Sequence, residues 1–404
     1  MKIHLINPYA TLPNEGWRKY RTNIAAEQLA NAGHKVTLWI SNIDHRSKLK
    51  RSEKYTEFIV NENFEIRIVP SINYSQNGSI SRIKYEQNFA KNVRKIFLSK
   101  NIQSDCIIIT DPCVFFGDIL YDIVKNTNSK FIIDILDIWP EVFITLLPKL
   151  LKPFSNFIFR PLFIKRQSLY KKADGLLAVT RDYLENALKY TKNKPAQVVY
   201  IGIEENEDIL FENIKEKDDF TKEEKEKWII YAGTLGINYD IDTLLKLALI
   251  IEKQDFQWKL LIAGDGPMKE HVSTFIENNK LTKTIYLGRL EVEKLNQLYS
   301  KCDVALSTYL KTSTVSMPVK AFDNISFGLP VINSLNREYG HLIESENIGL
   351  QYDAENAEDL FERLHYLLSS SELLFTMRKN ALKLSEKFFI KEQYKAYINF
   401  VEQV

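Results

Sequence analysis

Lys320 and Asp323 stand three residues apart in the stretch Ser316-Met317-Pro318-Val319-Lys320-Ala321-Phe322-Asp323, which stops at Gly328. The pattern predicts a helix capped by Ser316, with Pro318 in the first turn where a missing N–H is harmless. Gly328 ends it, and Pro330-Val331-Ile332-Asn333 starts a strand. This spacing places cation and carboxylate on one face near the positive end of the helix. Free N–H groups and an ammonium there stabilise a pyrophosphate, and a carboxylate one turn on accepts hydrogen bonds from a ribose diol, a pairing that a nucleotide sugar needs. An ordinary capped helix with a solvated Lys and Asp has the same spacing, so the surrounding elements must decide.

Those elements alternate. Strands are expected at Ile3 to Asn7, Lys35 to Ser41, Phe64 to Val69, Cys106 to Thr110, Lys130 to Ile135, Gly175 to Val179 and Gln197 to Ile201, with amphipathic helical segments between them at 20–32, 84–99 and 180–190. Residues 204–227 interrupt with a run dense in Glu, Asp and Lys. Alternation resumes at Trp228 to Ala232, Trp258 to Ala263, Thr284 to Leu287, Val304 to Ser307 and Val331 to Asn333, and 371–402 reads as helix. Strand–helix alternation implies parallel, doubly wound sheets, which bind ligands at the carboxyl ends of their strands. Three strand ends run into glycine turns: Gly233-Thr234-Leu235-Gly236, Gly264-Asp265-Gly266 and Gly288-Arg289-Leu290. Glycine there lets backbone N–H groups approach an anion, or simply makes a tight turn.

At 404 residues the chain exceeds the usual size of one core, and 45% hydrophobic with 26% charged residues describes a globular protein. A formal charge of +2 argues against a global nucleic-acid surface. Cys106, Cys113 and Cys302 are too few for a disulfide framework or a zinc site. The apolar run after Met1 is too short for a signal peptide, and no apolar stretch reaches the length of about 18 residues that a spanning helix needs.

With these turns in place the chain resembles family 4 of the glycosyltransferases, retaining enzymes of GT-B fold. The resemblance rests on Ala32-Gly33-His34-Lys35-Val36, on Ala173-Asp174-Gly175-Leu176-Leu177-Ala178-Val179-Thr180 and on the glycine turns. More narrowly, Asp137-Ile138-Trp139-Pro140-Glu141 and Pro318-Val319-Lys320-Ala321-Phe322-Asp323 look like the Asp-Leu-Trp-Pro and Pro-x-Lys-x-x-Glu signatures of members that build bacterial surface polysaccharides of capsule or O-antigen type. The resemblance implies a nucleobase against Arg289 and Leu290, a ribose on Asp323, and a diphosphate on Lys320 with Gly16, Gly233, Thr234, Leu235, Gly236, Asp265, Gly266 and Ser316 around the donor. It implies catalytic roles for Asp137 and Lys320. Val315 stands where many members place a second acid, Asp323 replaces the longer Glu, and Thr234 and Asp240 stand near where an Arg and a Lys are common.

The first half is expected to hold the acceptor, through Glu15, Trp17, Arg18 and Tyr20 in a glycine loop that lacks dinucleotide-binding spacing, and through Asp137 and Trp139. Asp134 and Glu141 lie close to Asp137, which could equally cap the following helix. No metal signature is present and no cofactor is required, since a Lys and helix dipoles can hold the leaving diphosphate. Residues 143–166 mix large apolar groups, cations and three prolines, which fits either a peripheral membrane surface or buried helices. The expected organisation is an α/β GT-B protein, two Rossmann-like domains whose parallel sheets face a central cleft. Its parts are an acceptor domain (1–203), a charged linker (204–227), a nucleotide-sugar domain (228–385) and a C-terminal helix (386–404) packing back on the first. The expected reaction moves a sugar, with retention, from a nucleotide-diphosphate sugar to a glycan or lipid-linked acceptor, at the cytoplasmic membrane face. A non-catalytic nucleotide-sugar or glycan-binding partner and a nucleotide-sugar epimerase of the same fold are the alternatives.

Overall fold

The computed structural model describes residues 1–15, 19–76, 78–145, 147–191, 193–204, 220–236 and 239–404, so most of the charged run lies outside it. The chain divides into two compact units, Met1–Ile201 with Lys391–Val404, and Gly202–Ile390.

The first unit is built on β1 (Lys2–Ile6), β2 (Lys35–Ser41), β3 (Thr56–Asn61), β4 (Phe64–Val69), β5 (Cys106–Asp111), β6 (Lys130–Ile135), β7 (Gly175–Ala178) and β8 (Ala196–Val198). They form one sheet of order β3-β4-β2-β1-β5-β6-β7-β8, parallel except where β3 pairs with β4. β3 was not expected from sequence: all six of its residues are exposed, so burial imposes no alternation on it. Helices Arg21–Asn31, Ile80–Ser99, Gly117–Thr127 and Arg160–Lys172 lie among the crossovers. Among the described residues none is long and apolar enough to cross a membrane.

Helix Ile390–Gln403 completes this unit from the far end of the chain. Arg21 and Asp134 form a buried ion pair at 2.9 Å, the Tyr397 hydroxyl donates to Asp134 at 3.4 Å, and the Tyr394 hydroxyl donates to the Arg21 carbonyl at 3.4 Å. A buried charge is tolerable only when paired in this way. A Cβ on Gly175 would fall 2.8 Å from the Phe400 ring, so glycine there lets the helix seat.

The second unit is built on β9 (Lys227–Ala232), β10 (Trp258–Ala263), β11 (Thr284–Gly288), β12 (Val304–Ser307), β13 (Val331–Asn333) and β14 (Gly349–Gln351). Their order is β11-β10-β9-β12-β13-β14, all parallel. β14, three residues long, also escaped the sequence pattern. Along β9, Ile229 and Tyr231 enter one apolar cluster while Trp228, Ile230 and Ala232 enter another, so both faces of the sheet are covered, as a parallel sheet requires. The chain winds outward from β9 to β11, then returns to place β12 on the other side of β9. The carboxyl ends of β9 and β12 therefore flank a topological switch point, where loops diverge and leave a crevice.

Candidate active site

At that switch point lies helix Val319–Ser326. Its N-cap is Pro318, extended at φ −74° and ψ 150°, and no side chain caps it. Ser316, the expected cap, is instead fully buried, and its carbonyl accepts the Tyr339 N–H at 3.1 Å. Lys320 is not a solvated cation. Its Nζ is buried without a hydrogen-bond partner, although the residue as a whole is only half-buried. The nitrogen lies 4.5 Å from the ring centre of Tyr231, 4.7 Å from that of Tyr309 and 5.8 Å from that of Tyr239. Burial lowers the Lys320 pKa to about 7. Asp323, one turn on, is half-buried. Ser307 Oγ, Thr308 Oγ1 and Asn333 Oδ1, at the ends of β12 and β13, are also buried without partners.

Several N–H groups of the glycine turns are already bonded within the protein. Gly233 N–H donates to the Ala263 carbonyl at 2.9 Å, Leu235 N–H to Asp265 O at 3.0 Å, Gly264 N–H to Gly288 O at 2.8 Å and Gly266 N–H to the Asp265 carboxylate at 2.8 Å. A Cβ on Gly264 would fall 1.8 Å from the Gly233 carbonyl oxygen, and one on Gly266 2.4 Å from that of Leu235. These glycines are required because two loop backbones lie against each other. Among the described residues, the N–H groups of Thr234 and Gly236 donate to no protein acceptor, which leaves them for a ligand. Asp265 is exposed and pairs with Lys269 at 3.4 Å; the Gly266 N–H, then Lys269, lower its pKa. Arg289 is exposed, and Leu290 packs on the cluster containing Trp228.

In the first unit, Glu15 is bound in a bidentate pair with Arg51 at 2.6 and 2.8 Å and accepts the Leu12 N–H, so it braces the loop. Gly16, Trp17 and Arg18 lie outside the described residues. The Arg46 guanidinium stacks over Tyr20 at 5.0 Å. Of the three neighbouring acids, Asp134 is held by Arg21 and Glu141 by Arg166, at 2.6 and 2.9 Å. Asp137 accepts from the Ile138 N–H at 2.8 Å and from the Trp139 indole at 3.2 Å. Burial pushes its pKa up against those two bonds, and Asp111 and Glu141 add to the rise. Arg82 covers the Trp139 ring at 4.9 Å and the Tyr9 ring at 4.9 Å, and Lys48 Nζ sits 4.1 Å over Tyr74. Burial, then Lys48 and Arg82, lower the His45 pKa to about 3, so this histidine is neutral near neutrality. Sequence reasoning missed Tyr9, His45, Lys48, Tyr74 and Arg82 here, as it missed Tyr231, Tyr239 and Tyr309 in the second unit. Tyr231 heads the Gly233 turn but carried no expectation of its own, and the others fall in no motif; within each unit only the convergence of strand ends gathers them. Among the described residues no three His, Cys, Asp or Glu side chains gather as metal ligands.

The full chain superposes on sucrose-phosphate synthase from Thermosynechococcus elongatus with a TM-score of 0.73 at 14% identity, covering 100% of this chain and 98% of that one. The fold is GT-B. A second GT-B structure, Anabaena HepE in complex with UDP-glucose, superposes with a TM-score of 0.65 at 11% identity over the whole of both chains. Residues 212–384 match the family model described as glycosyl transferases group 1. An uncharacterized glycosyltransferase of Methanocaldococcus jannaschii is 24% identical over 229 residues, 56% of this chain and 59% of that protein. The alpha-monoglucosyldiacylglycerol synthase of Streptococcus pneumoniae is 22% identical over 301 residues, 69% and 66% respectively. The matched regions thus span about three fifths to two thirds of these relatives.

Proposed function

We propose that this GT-B protein is a retaining glycosyltransferase that moves a sugar from a nucleotide-diphosphate donor to a hydroxyl of a glycan or lipid-linked acceptor in cell-surface polysaccharide synthesis. The observation that carries this reading is the buried Lys320 amino group, without a hydrogen-bond partner, at the switch point of the second sheet, inside the region that matches the glycosyltransferase family. A buried amino group at such a point carries its charge most readily beside an anion, and a diphosphate supplies one.

Negative charge develops on the departing diphosphate as the anomeric bond breaks. On this reading Lys320, the N–H end of helix Val319–Ser326 and the N–H groups of Thr234 and Gly236 stabilise that charge. Asp323 takes the ribose diol, and Arg289 and Leu290 border the base. Acceptor recognition is assigned to the strand ends of the first unit, with Asp137 as the carboxylate not held by an arginine. The complex of HepE with UDP-glucose supports a nucleotide-sugar donor.

A second reading, in which the acceptor is itself a lipid, is favoured by one surface. Leu150, Phe154 and Phe157 are exposed by 87, 62 and 79%. From 142 to 173 the chain carries Lys149, Lys152, Arg160, Lys165, Arg166, Lys171 and Lys172 and no acid. Apolar groups among cations suit the face of an anionic bilayer. The pneumococcal relative is named for a glycolipid product.

A thermal-shift panel of UDP-, GDP-, CMP- and TDP-linked sugars tests the donor assignment. Ligand at about 100 times its Kd adds about 2.7 kcal/mol, so one nucleotide class should stand out. Lys320→Ala should abolish that shift; an unchanged shift removes Lys320 from the site. Donor binding with neither transfer nor hydrolysis would favour the non-catalytic alternative.

A further inference from the structure

We propose that Tyr231, Tyr239 and Tyr309 are positioning residues for Lys320: they enclose its amino group in an aromatic cage from which water is excluded, so that the arriving diphosphate, and not solvent, makes it a cation. The inference rests on the donor reading above and deepens it, since it names how the binding lysine is held when no donor is present.

The geometry is specific. Three ring centres lie 4.5, 4.7 and 5.8 Å from one nitrogen that has no hydrogen-bond partner. The walls are tied to one another. Tyr239 and Tyr309 form an isolated antiparallel bridge and their rings meet at 5.3 Å. The Tyr231 hydroxyl donates to the Thr234 carbonyl at 3.0 Å, and the Tyr239 hydroxyl meets the Thr234 side chain. Because Thr234 belongs to the loop expected to touch the diphosphate, cage and phosphate loop are joined at one residue. The Lys320 stem reaches the same loop, with its Cδ 4.0 Å from where a Cβ on Gly233 would lie.

Ring faces attract a cation, but they cannot replace the hydrogen bonds an ammonium makes in water. Among the described residues no carboxylate offsets the loss. The groups facing Lys320 from other elements are the three tyrosines, with Tyr352 behind Tyr231. Asp240, beside Tyr239, turns its oxygens to the N–H groups of Thr243 and Glu355. Asp323 lies one turn on along the same helix. Desolvation is the one resolved influence, and it brings the Lys320 pKa to about 7. The free protein therefore holds a largely neutral amine above neutrality, and a diphosphate, adding negative charge at the cage mouth, raises that pKa. The proton is taken up from solvent.

The test is titration calorimetry of the full chain with the nucleotide-diphosphate sugar giving the largest thermal shift, in two buffers of unlike ionisation enthalpy. That donor's diphosphate has no group titrating in the range, so proton uptake reports on the protein. Uptake is expected to be close to zero at about pH 6 and to approach one proton at about pH 8.5. Tyr309→Phe should retain this profile, whereas Tyr309→Ala, or Tyr239→Leu should the first variant fold poorly, should flatten it by admitting water. Donor binding without pH-dependent uptake, or a Tyr309→Ala profile equal to wild type in a folded protein, overturns the cage. If no nucleotide sugar binds, the donor reading fails by itself. Lysine side-chain NMR of the unliganded protein then decides the cage: a resonance absent from Lys320→Met that titrates near neutrality supports it, and an ordinary lysine titration overturns it.

Discussion

Lys320 sets the energetics of the candidate site at the scale of single residues. Its folded pKa of about 7 lies below the ordinary 10.5. The unfolded chain therefore binds more protons between these values, and the contribution of this residue to stability rises with pH across that window. The penalty for burying it is full at and below about pH 7. Lys320→Met should stabilise the protein by on the order of 2–4 kcal/mol near pH 7 and by progressively less as pH climbs toward 10. Chemical denaturation at several pH values measures this, and a gain that grows with pH would refute it. Asp137 has the opposite sign. Burial raises its pKa, so the ionised form that the proposed catalytic role needs is lost as pH falls through a value above that of an ordinary aspartate. The acid limb of kcat should sit above the ordinary aspartate value, and Asp137→Asn should lower transfer by at least about 10²-fold while leaving the donor thermal shift intact. Loss of the shift as well would make Asp137 structural.

Among the elements, glycine turns that look alike do unlike things. Gly264 is pinned because a Cβ would stand 1.8 Å from the Gly233 carbonyl oxygen, a clash that only backbone movement can relieve. Gly288 has φ +66° with open space around it, so it faces conformational strain alone. Gly264→Ala should cost several kcal/mol, roughly 3 or more, and shift the loop that carries Thr234. Gly288→Ala should cost about 1–2 kcal/mol. Denaturation midpoints separate the two, and equal costs would mean that the loops do not abut. In the sequence each is a glycine after a strand, for which a tight turn is the commoner account and anion approach the rarer one. Sequence carries the residue type but not the neighbour, Gly233, that the Gly264 Cβ would strike.

Both units are built on a largely parallel sheet with candidate site residues near the carboxyl ends of its strands. The first unit also carries the exposed Leu150, Phe154 and Phe157 in a stretch rich in cations. Replacing Phe154 and Phe157 together by Ser should weaken binding to anionic vesicles at low salt by about tenfold or more, since two large apolar contacts are lost. High salt should weaken the wild type as well, as each cation near the surface is worth about 1 kcal/mol. A wild-type protein that ignores such vesicles would confine this surface to protein contacts.

Strand–helix periodicity, the glycine turns, and the Lys320 and Asp323 spacing were legible from the chain alone, because local patterns of burial and backbone freedom are written in neighbouring residues. Twelve of the fourteen strands among the described residues follow from that pattern. The exposed β3 and the three-residue β14 do not, since neither is long and half-buried. The cage around Lys320 was beyond reach for a different reason. Tyr231, Tyr239 and Tyr309 come from a strand end and two loops, and they meet one nitrogen only because β12 returns beside β9. The sequence could name the cation. Whether it stood in water or among rings depended on which side chains the fold brought to it, and desolvation, which sets its charge, is a property of that gathering.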